Sequence, residues 1–367
     1  MKSGPKTTES AYVLTMPMGL DVVTAEELAV RARRASLSAR SSTEIALTYG
    51  GPPSDLAALR SVTDVWTVVR QMAGIGTRYR DLRTLSEMVA RTDLEPALAR
   101  LREMGLRPRR TLRFGITCTM RGERAYRRTD ALQAARDVLT GLQPGTGPGQ
   151  PRVRLVPAGG EAPAVRFWLH LEGDRARLAL ALTPLPVGVR ERAVSLPGSL
   201  PGPVAYAMAH LTRPTPNDVF VDPACGSGSI ALERAENWRH RLILAGDLDA
   251  AAVAAAAANF GPRHKPRDLL QWDAARLPLP AESVDAMACN PPHGIQMRPK
   301  GGLEKLYRGI LVEASRVLRA GSRMTFLTPE RELTDRILAE TDRFRIERCF
   351  VIDLLGQRPY LYSLRRS

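Results

Sequence analysis

The sequence predicts an α/β chain whose C-terminal half is a doubly wound, largely parallel sheet, with smaller α+β units before it. Three observations carry this. From about residue 200 apolar strand runs alternate with amphipathic helix runs. The first of those strands opens into a glycine loop, "VFVDPACGSGS", and then a helix. Upstream, short alternating runs such as "AVRFWLHLEGD" and "RARLALALTPL" read as a hairpin turning at Gly173.

Within residues 1–75, "AYVLTMPMGLDVVTAEELAVRAR" gives a strand, a glycine turn and an amphipathic helix, and "SDLAALRSVTDVWTVVRQM" a helix followed by a strand. Residues 76–185 start with the helical "DLRTLSEMVARTDLEPALARLREMG". The strand "TLRFGITCTM" follows, then a basic turn running into a helix, "RGERAYRRTDALQAARDVLTGL". The Pro/Gly-rich "QPGTGPGQPRV" precedes the hairpin, and residues 186–200 form a connector. In residues 201–367, "LILAGDLDAAAVAAAAANF" repeats the strand–helix unit, "HKPRDLLQWDAARL" supplies a third strand end and "SVDAMACNPPHG" a fourth. The long amphipathic helix "GGLEKLYRGILVEASRVLRAG", the strand "SRMTFLTP" and two closing strands in "FRIERCFVIDLLGQRPYLYSLRR" complete the sheet.

The 367 residues suit two or three domains. Lys and Arg number 53 against 38 Asp and Glu, for a net charge of +15, and the basic side is nearly all Arg. Residues 1–185 hold 28 of the basic and 18 of the acidic groups, so two-thirds of the excess lies there. Arg offers a planar bidentate fork, and phosphate is the partner such a surface suits, which points to nucleic acid. No apolar run reaches membrane-spanning length and the start lacks a secretory signal, so the expected compartment is the cytoplasm, with no membrane partner. Cys118, Cys225, Cys289 and Cys349 lie far apart, and the histidines form no ligand constellation, so neither a disulfide framework nor a metal is expected.

Asp222, Gly226 and Gly228 follow the first strand directly. Glycines let backbone approach a ligand closely, and the next helix offers unpaired N–H groups to an anionic group. Asp247, ending the second strand with Leu248 after it, is placed to accept both ribose hydroxyls. Asp273, ending the third, is placed to accept from the exocyclic amine of adenine. Gly226, Gly228 and Ala231 also fit a dinucleotide-binding pattern. Against a dehydrogenase stand the Asp-Pro-Ala opening of the loop and a fourth strand ending in Asn-Pro-Pro-His, with no proton donor for a carbonyl.

Pro291 and Pro292 fix two φ angles, and Asn290 before them is pushed into an extended conformation. Such a stiff loop can aim the Asn290 side-chain oxygen and a backbone carbonyl at one spot. Two acceptors suit an aromatic exocyclic amine, which must be oriented rather than deprotonated before it takes a methyl group. A ring at His293 would stack on the face of a flipped base.

"DPACGSGS", "GDLD", "WDA" and "NPPHG", in that order, resemble the class I S-adenosylmethionine-dependent amino-methyltransferases, which carry N/D-P-P-Y/F. The N-terminal stretches "TMPMGLDVVTAEEL", "LRFGITCTMRGERAYRRTDALQAARDVL" and "ARLALALTPLPVGVRERAVSLPGSL" look like a ferredoxin-like unit and a THUMP domain. Together they resemble the THUMP-containing tRNA guanine-N2 methyltransferases. The resemblance implies a Rossmann-like domain with a mostly parallel seven-stranded sheet over residues 201–367. Ahead of it would stand a ferredoxin-like domain over 1–75, a THUMP RNA-binding domain over 76–185 and a linker over 186–200.

It also implies S-adenosylmethionine as cofactor, and tRNA as partner, modified at the sixth nucleotide in the acceptor stem by an enzyme acting as a monomer. Asp222, Pro223, Ala224, Gly226 and Gly228 would line the methionine end, Asp247 and Leu248 the ribose, and Asp273 and Ala274 the adenine edge. Ser199 and Leu200 match the segment that closes over the cofactor. Asn290, Pro291 and Pro292 would bind the amine beside the cofactor, with His293 replacing the usual Tyr or Phe. Asn at 290 leans towards the acceptor-stem group, because relatives acting elsewhere on tRNA often carry D-P-P-Y. Arg121, Arg124, Arg127 and Arg128 would grip RNA near its 3′ end, and Arg298 and Lys300 phosphates beside the flipped nucleotide. The alternatives are an rRNA or DNA amino-methyltransferase (N6-adenine or N2-guanine), or an RNA-binding relative without turnover.

Overall fold

The computed structural model describes residues 10–107, 109–144, 153–189, 192–293, 302–354 and 356–367. The chain divides into two compact units, one of residues 1–15 and 26–187, the other of 16–25 and 188–367.

The first unit contains β1 (Ser10–Thr15), β2 (Ser36–Arg40), β3 (Glu44–Tyr49), α2 (Pro53–Ala57) and β4 (Asp64–Met72); α1 (Asp21–Arg31) follows β1 in sequence. It continues with α3 (Leu82–Ala90), α4 (Glu95–Glu103), β5 (Thr111–Arg121), α5 (Arg128–Gly141), β6 (Arg154–Pro157), β7 (Val165–Glu172) and β8 (Arg175–Ala181). One eight-stranded sheet, ordered β2-β3-β1-β4-β8-β7-β5-β6, runs through all of it. Antiparallel pairing of β4 with β8, Trp66 opposite Ala181, joins strands from the first 75 residues to those beyond. At that junction Trp66 and Trp168 pack with ring centres 5.3 Å apart. Arg166 grips Asp64 with two hydrogen bonds, at 2.6 and 2.8 Å. The stretch expected as one helix after residue 80 is two, α3 and α4. Pro96 cannot donate inside a helix, and Asp93 accepts the Glu95 N–H at 2.9 Å to start the second. β2 and β3 carried no expectation from sequence; every residue of β2 is exposed, so it lacks the alternation that marks a strand.

The second unit holds α6 (Gly202–Leu211), β9 (Val219–Asp222), α7 (Ser229–Asn237), β10 (Leu242–Asp247), α8 (Ala250–Phe260), β11 (Arg267–Gln271) and β12 (Val284–Cys289). α9 (Gly302–Val317), β13 (Leu318–Thr328), α10 (Arg331–Thr341), β14 (Phe344–Val351) and β15 (Tyr360–Arg366) complete it. Its seven-stranded sheet is ordered β11-β10-β9-β12-β13-β15-β14. β11, β10, β9, β12 and β13 are parallel, whereas β15 is antiparallel to both β13 and β14. The expected mostly parallel, seven-stranded Rossmann-like sheet is therefore present. Buried Val221, Met287, Tyr307, Leu311 and Phe326 belong to its core. β13 begins at Leu318, four residues before the expected strand, directly where α9 stops. Strand order reverses between β9 and β12, so their carboxyl ends flank the crevice where such sheets take ligands.

Candidate active site

β9 and β12 run side by side, Met287 opposite Val221, and deliver Asp222 and Asn290 to the same edge of the sheet. Asp222 is 0% exposed. Neither of its carboxylate oxygens meets a donor in good hydrogen-bond geometry among the described residues, although the Ala224 and Ala231 amides stand near them. Burial, then the nearby Asp247 charge, pushes its carboxyl up to about 8, only partly offset by the amides of Ala224 and Ala231. A buried acid so weakly compensated is costly unless something arrives to pair with it.

The loop after β9 turns through Gly226 and Gly228, both at positive φ (+52° and +81°), which only glycine adopts without strain. At Gly228 a Cβ would stand 3.1 Å from Ala256 and 3.4 Å from Phe260, so alanine-rich α8 backs the loop directly. The Gly226 N–H donates to Asp247 Oδ2 at 2.9 Å, and the Cys225 N–H to the Gly246 carbonyl at 2.8 Å. Two side chains that sequence reasoning missed hold this loop. Trp272 lies against Gly246, where a Cβ would meet its indole at 2.4 Å, and donates Nε1–H to the Pro223 carbonyl at 3.0 Å. Asn259 donates Nδ2–H to the Ser227 carbonyl at 2.9 Å. Asn259 shows in the sequence as one polar residue at the end of an alanine run, and Trp272 as the first residue of "WDA", whose expected site residues are Asp273 and Ala274.

Asp247, at the end of β10, keeps its second oxygen on the Asp249 N–H at 3.1 Å. Leu248 beside it is 71% exposed, an apolar side chain facing solvent at the rim of the crevice. Asp273 is exposed and accepts the Ala275 N–H at 2.9 Å, with Ala274 half-buried between them. Half-buried Ser199 meets Ser227 hydroxyl to hydroxyl at 2.7 Å, and Leu200 is buried, so the connector reaches the glycine loop. Pro223 is buried and Ala224 packs against the sheet core.

In the loop after β12, Pro291 is buried and Pro292 and His293 are half-buried. Asn290 Oδ1 and His293 Nδ1 are both shielded from solvent without a hydrogen-bond partner among the described residues. Burial lowers the His293 pKa below its ordinary value, which keeps the ring neutral. Cys289, fully buried before Asn290, has its thiol pushed well up by burial and by Asp222 and Asp247, so it is inert as a nucleophile. Arg298 and Lys300 lie outside the described residues. Among the described residues no cluster of acidic, histidine and cysteine side chains could hold a metal, and no helix is long and apolar enough to cross a membrane.

In the first unit, the four arginines expected as an RNA patch do not share one state. Arg127 and Arg128 are exposed at the start of α5, where Asp130 accepts the Arg127 N–H at 2.8 Å. Arg121 is exposed at the end of β5 and pairs with Glu172 at 3.2 Å. Arg124 is half-buried and holds the Gly76 and Gly173 carbonyls at 3.1 and 2.6 Å, with the Tyr126 hydroxyl at 2.7 Å. Tyr126 is 3% exposed, so it is not a stacking surface.

Comparison with known proteins agrees with this geometry. The chain is 32% identical over 218 residues to the tRNA (guanine(6)-N(2))-methyltransferase THUMP3 of Mus musculus, covering 55% of this chain and 43% of that protein. To the tRNA (guanine(6)-N2)-methyltransferase of Thermus thermophilus it is 33% identical over 217 residues, 58% of this chain and 63% of the other. The chain thus spans less than two thirds of either relative. The crystal structure of TrmN from Thermus thermophilus superposes with a TM-score of 0.79 at 24% identity, covering 97% of this chain and 99% of that one, so the fold is shared along the whole length. The UPF0020 family model, the RMKL-like methyltransferase domain, matches residues 190–355, which lie in the C-terminal unit of this chain.

Proposed function

We propose that the chain transfers a methyl group from S-adenosylmethionine to the exocyclic N2 amine of a guanosine in tRNA, with the sixth nucleotide of the acceptor stem as the target. The observation that carries this is Asn290 Oδ1, shielded without a partner among the described residues, on a proline-stiffened loop at the strand end next to the glycine loop. The residues present fit the cofactor. Asp222 offers a buried, weakly compensated carboxylate to the methionine ammonium, and Pro223, Ala224, Gly226 and Gly228 line that end. Asp247 holds the ribose with Leu248 against it, Asp273 and Ala274 take the adenine edge, and Ser199 and Leu200 close over the site. S-adenosylmethionine supplies an electrophilic methyl group on a sulfonium, and its bond to sulfur breaks as the bond to nitrogen forms.

The protein's own part is orientation. Asn290 Oδ1 accepts one N–H of the amine, and a backbone carbonyl of the stiff loop accepts the other. The nitrogen lone pair is thereby turned out of conjugation towards the methyl group. No strong base is needed beforehand, because the nitrogen proton becomes acidic only after transfer. His293, kept neutral by burial, stacks on the base without bringing a charge beside the sulfonium.

Residues 76–185 serve in this reading as a THUMP RNA-binding domain and 1–75 as a ferredoxin-like domain. The linker 186–200 leads to the methyltransferase domain over 201–367, which acts as a monomer in the cytoplasm. Arg121, Arg127 and Arg128 contact the RNA backbone, whereas Arg124 holds the turn that presents them. Incubation with labelled S-adenosylmethionine and separate pools of tRNA, rRNA and DNA tests the reading. Label recovered as N2-methylguanosine in tRNA is expected. Label as N6-methyladenosine, or in rRNA or DNA alone, would refute the substrate assignment.

A further inference from the structure

α8 is a helix of alanines, and Asn259, near its end, is the one polar side chain among its buried residues. It is 7% exposed, yet none of its hydrogen-bonding groups faces its own helix. Oδ1 accepts the Val194 N–H at 3.0 Å, and Nδ2 donates to the Val194 carbonyl at 2.8 Å and to the Ser227 carbonyl at 2.9 Å. One carboxamide thus pairs with both backbone groups of Val194, as a neighbouring strand would, while holding the glycine loop with its remaining N–H. The connector is folded on itself around these contacts. Arg192 donates to the Leu200 carbonyl at 2.8 Å, and Ser199 Oγ accepts the Leu196 N–H at 3.0 Å. Ser199 then closes the ring by meeting the Ser227 hydroxyl at 2.7 Å.

We propose that Asn259 is a positioning residue that latches the connector, residues 192–200, onto the loop between Gly226 and Gly228, so that cofactor affinity depends on the connector being in place. The proposal rests on the methyltransferase reading above. Ser227 stands between the two glycines whose backbone approaches the cofactor, and fixing its carbonyl fixes the plane of the Ser227–Gly228 peptide. Coupling of this kind is reciprocal, so binding in the crevice also orders residues 192–200.

The test compares Asn259→Ala and the isosteric Asn259→Asp in the full chain. Asp keeps an acceptor for the Val194 N–H but turns a carboxylate on two carbonyl oxygens. Titration with S-adenosylhomocysteine should give a Kd roughly tenfold higher for Ala, equivalent to about 1.4 kcal/mol, and at least as high for Asp. KM for S-adenosylmethionine should rise in parallel while kcat at saturation stays within about twofold of wild type. Hydrogen exchange should show residues 192–200 losing protection while β9 and β10 keep theirs.

Val194→Pro removes the same N–H from the connector without touching α8, and should reproduce the Kd shift if the Asn259 variants fold poorly. An Asp variant that binds like wild type would make Asn259 a space-filler and overturn the latch. So would loss of protection at 192–200 with no change in Kd. Wild type failing to bind S-adenosylhomocysteine at all would instead sink the methyltransferase reading, a result distinct from loss of the Asn259 effect alone.

Discussion

The two loops that meet at the switch point of the seven-stranded sheet are stiff for opposite reasons. The loop after β9 is held by hydrogen bonds from distant residues: Gly226 to Asp247, Trp272 to Pro223, Asn259 to Ser227. The described start of the loop after β12 is held by covalent geometry, two consecutive prolines, and leaves Asn290 Oδ1 and His293 Nδ1 without a partner among the described residues. A polar atom that holds the fold together is already engaged, whereas one shielded without a partner at a strand end beside the crevice is open to a ligand. By that criterion Asp222 sides with Asn290 and His293, although it lies at the foot of the first loop.

Asn290→Ala breaks the comparison at its sharpest point. No described residue uses this acceptor, so its removal should leave the fold intact while turnover falls roughly 10²- to 10³-fold with little change in cofactor Kd. A matching loss of cofactor affinity in calorimetry would make the loop a structural turn. Asp247→Ala tests the other side. It takes an acceptor from the Gly226 and Asp249 N–H groups and, in the proposed reading, from the ribose, so Kd for S-adenosylhomocysteine should rise about 10-fold or more. Unchanged affinity would remove Asp247 from the cofactor site.

Asp222 gives a test in pH rather than in activity. Its folded pKa, about 8, stands above the ordinary value of 3.8 for an unfolded aspartate. The folded state therefore binds a proton that the unfolded chain releases. The stability linked to that proton is fully present below about pH 4 and is lost progressively as pH rises towards 8. Asp222→Asn, neutral at every pH, should remove this contribution, so the melting temperature of ligand-free wild type should fall relative to that of the variant across that window. Parallel curves would mean that Asp222 ionises freely in the fold.

The pattern of the candidate site was legible because it is local. Asp222 to Gly228 and Asn290 to His293 each carry their meaning within a few residues, since proline and glycine dictate backbone shape from next door. The supports were not legible. Asn259 reaches Val194 and Ser227 across 65 and 32 residues, and Trp272 reaches Pro223 across 49, so no window of sequence contains both partners. The same holds in the N-terminal unit. Arg124 reads as one of four phosphate-binding cations until the turn brings it onto carbonyls 48 and 49 residues away. β2 was invisible for another reason, since a wholly exposed edge strand has no buried face to pattern its sequence.

The smallest expected effect concerns His293, the position where this chain departs from the aromatic residue of the pattern it resembles. If the ring is needed only as a flat surface, its unpaired Nδ1 contributes nothing to binding, and His293→Phe should keep guanine activity within about tenfold while adding stacking area. Histidine held neutral by burial has no protonation step to impose above its lowered pKa, so wild type and variant should share one pH–rate profile through neutrality. A profile that loses an inflection in the Phe variant would mean that Nδ1 exchanges a proton with the substrate. That would set His293 apart from Pro291 and Pro292, whose part is to stiffen the loop, and place it beside Asn290.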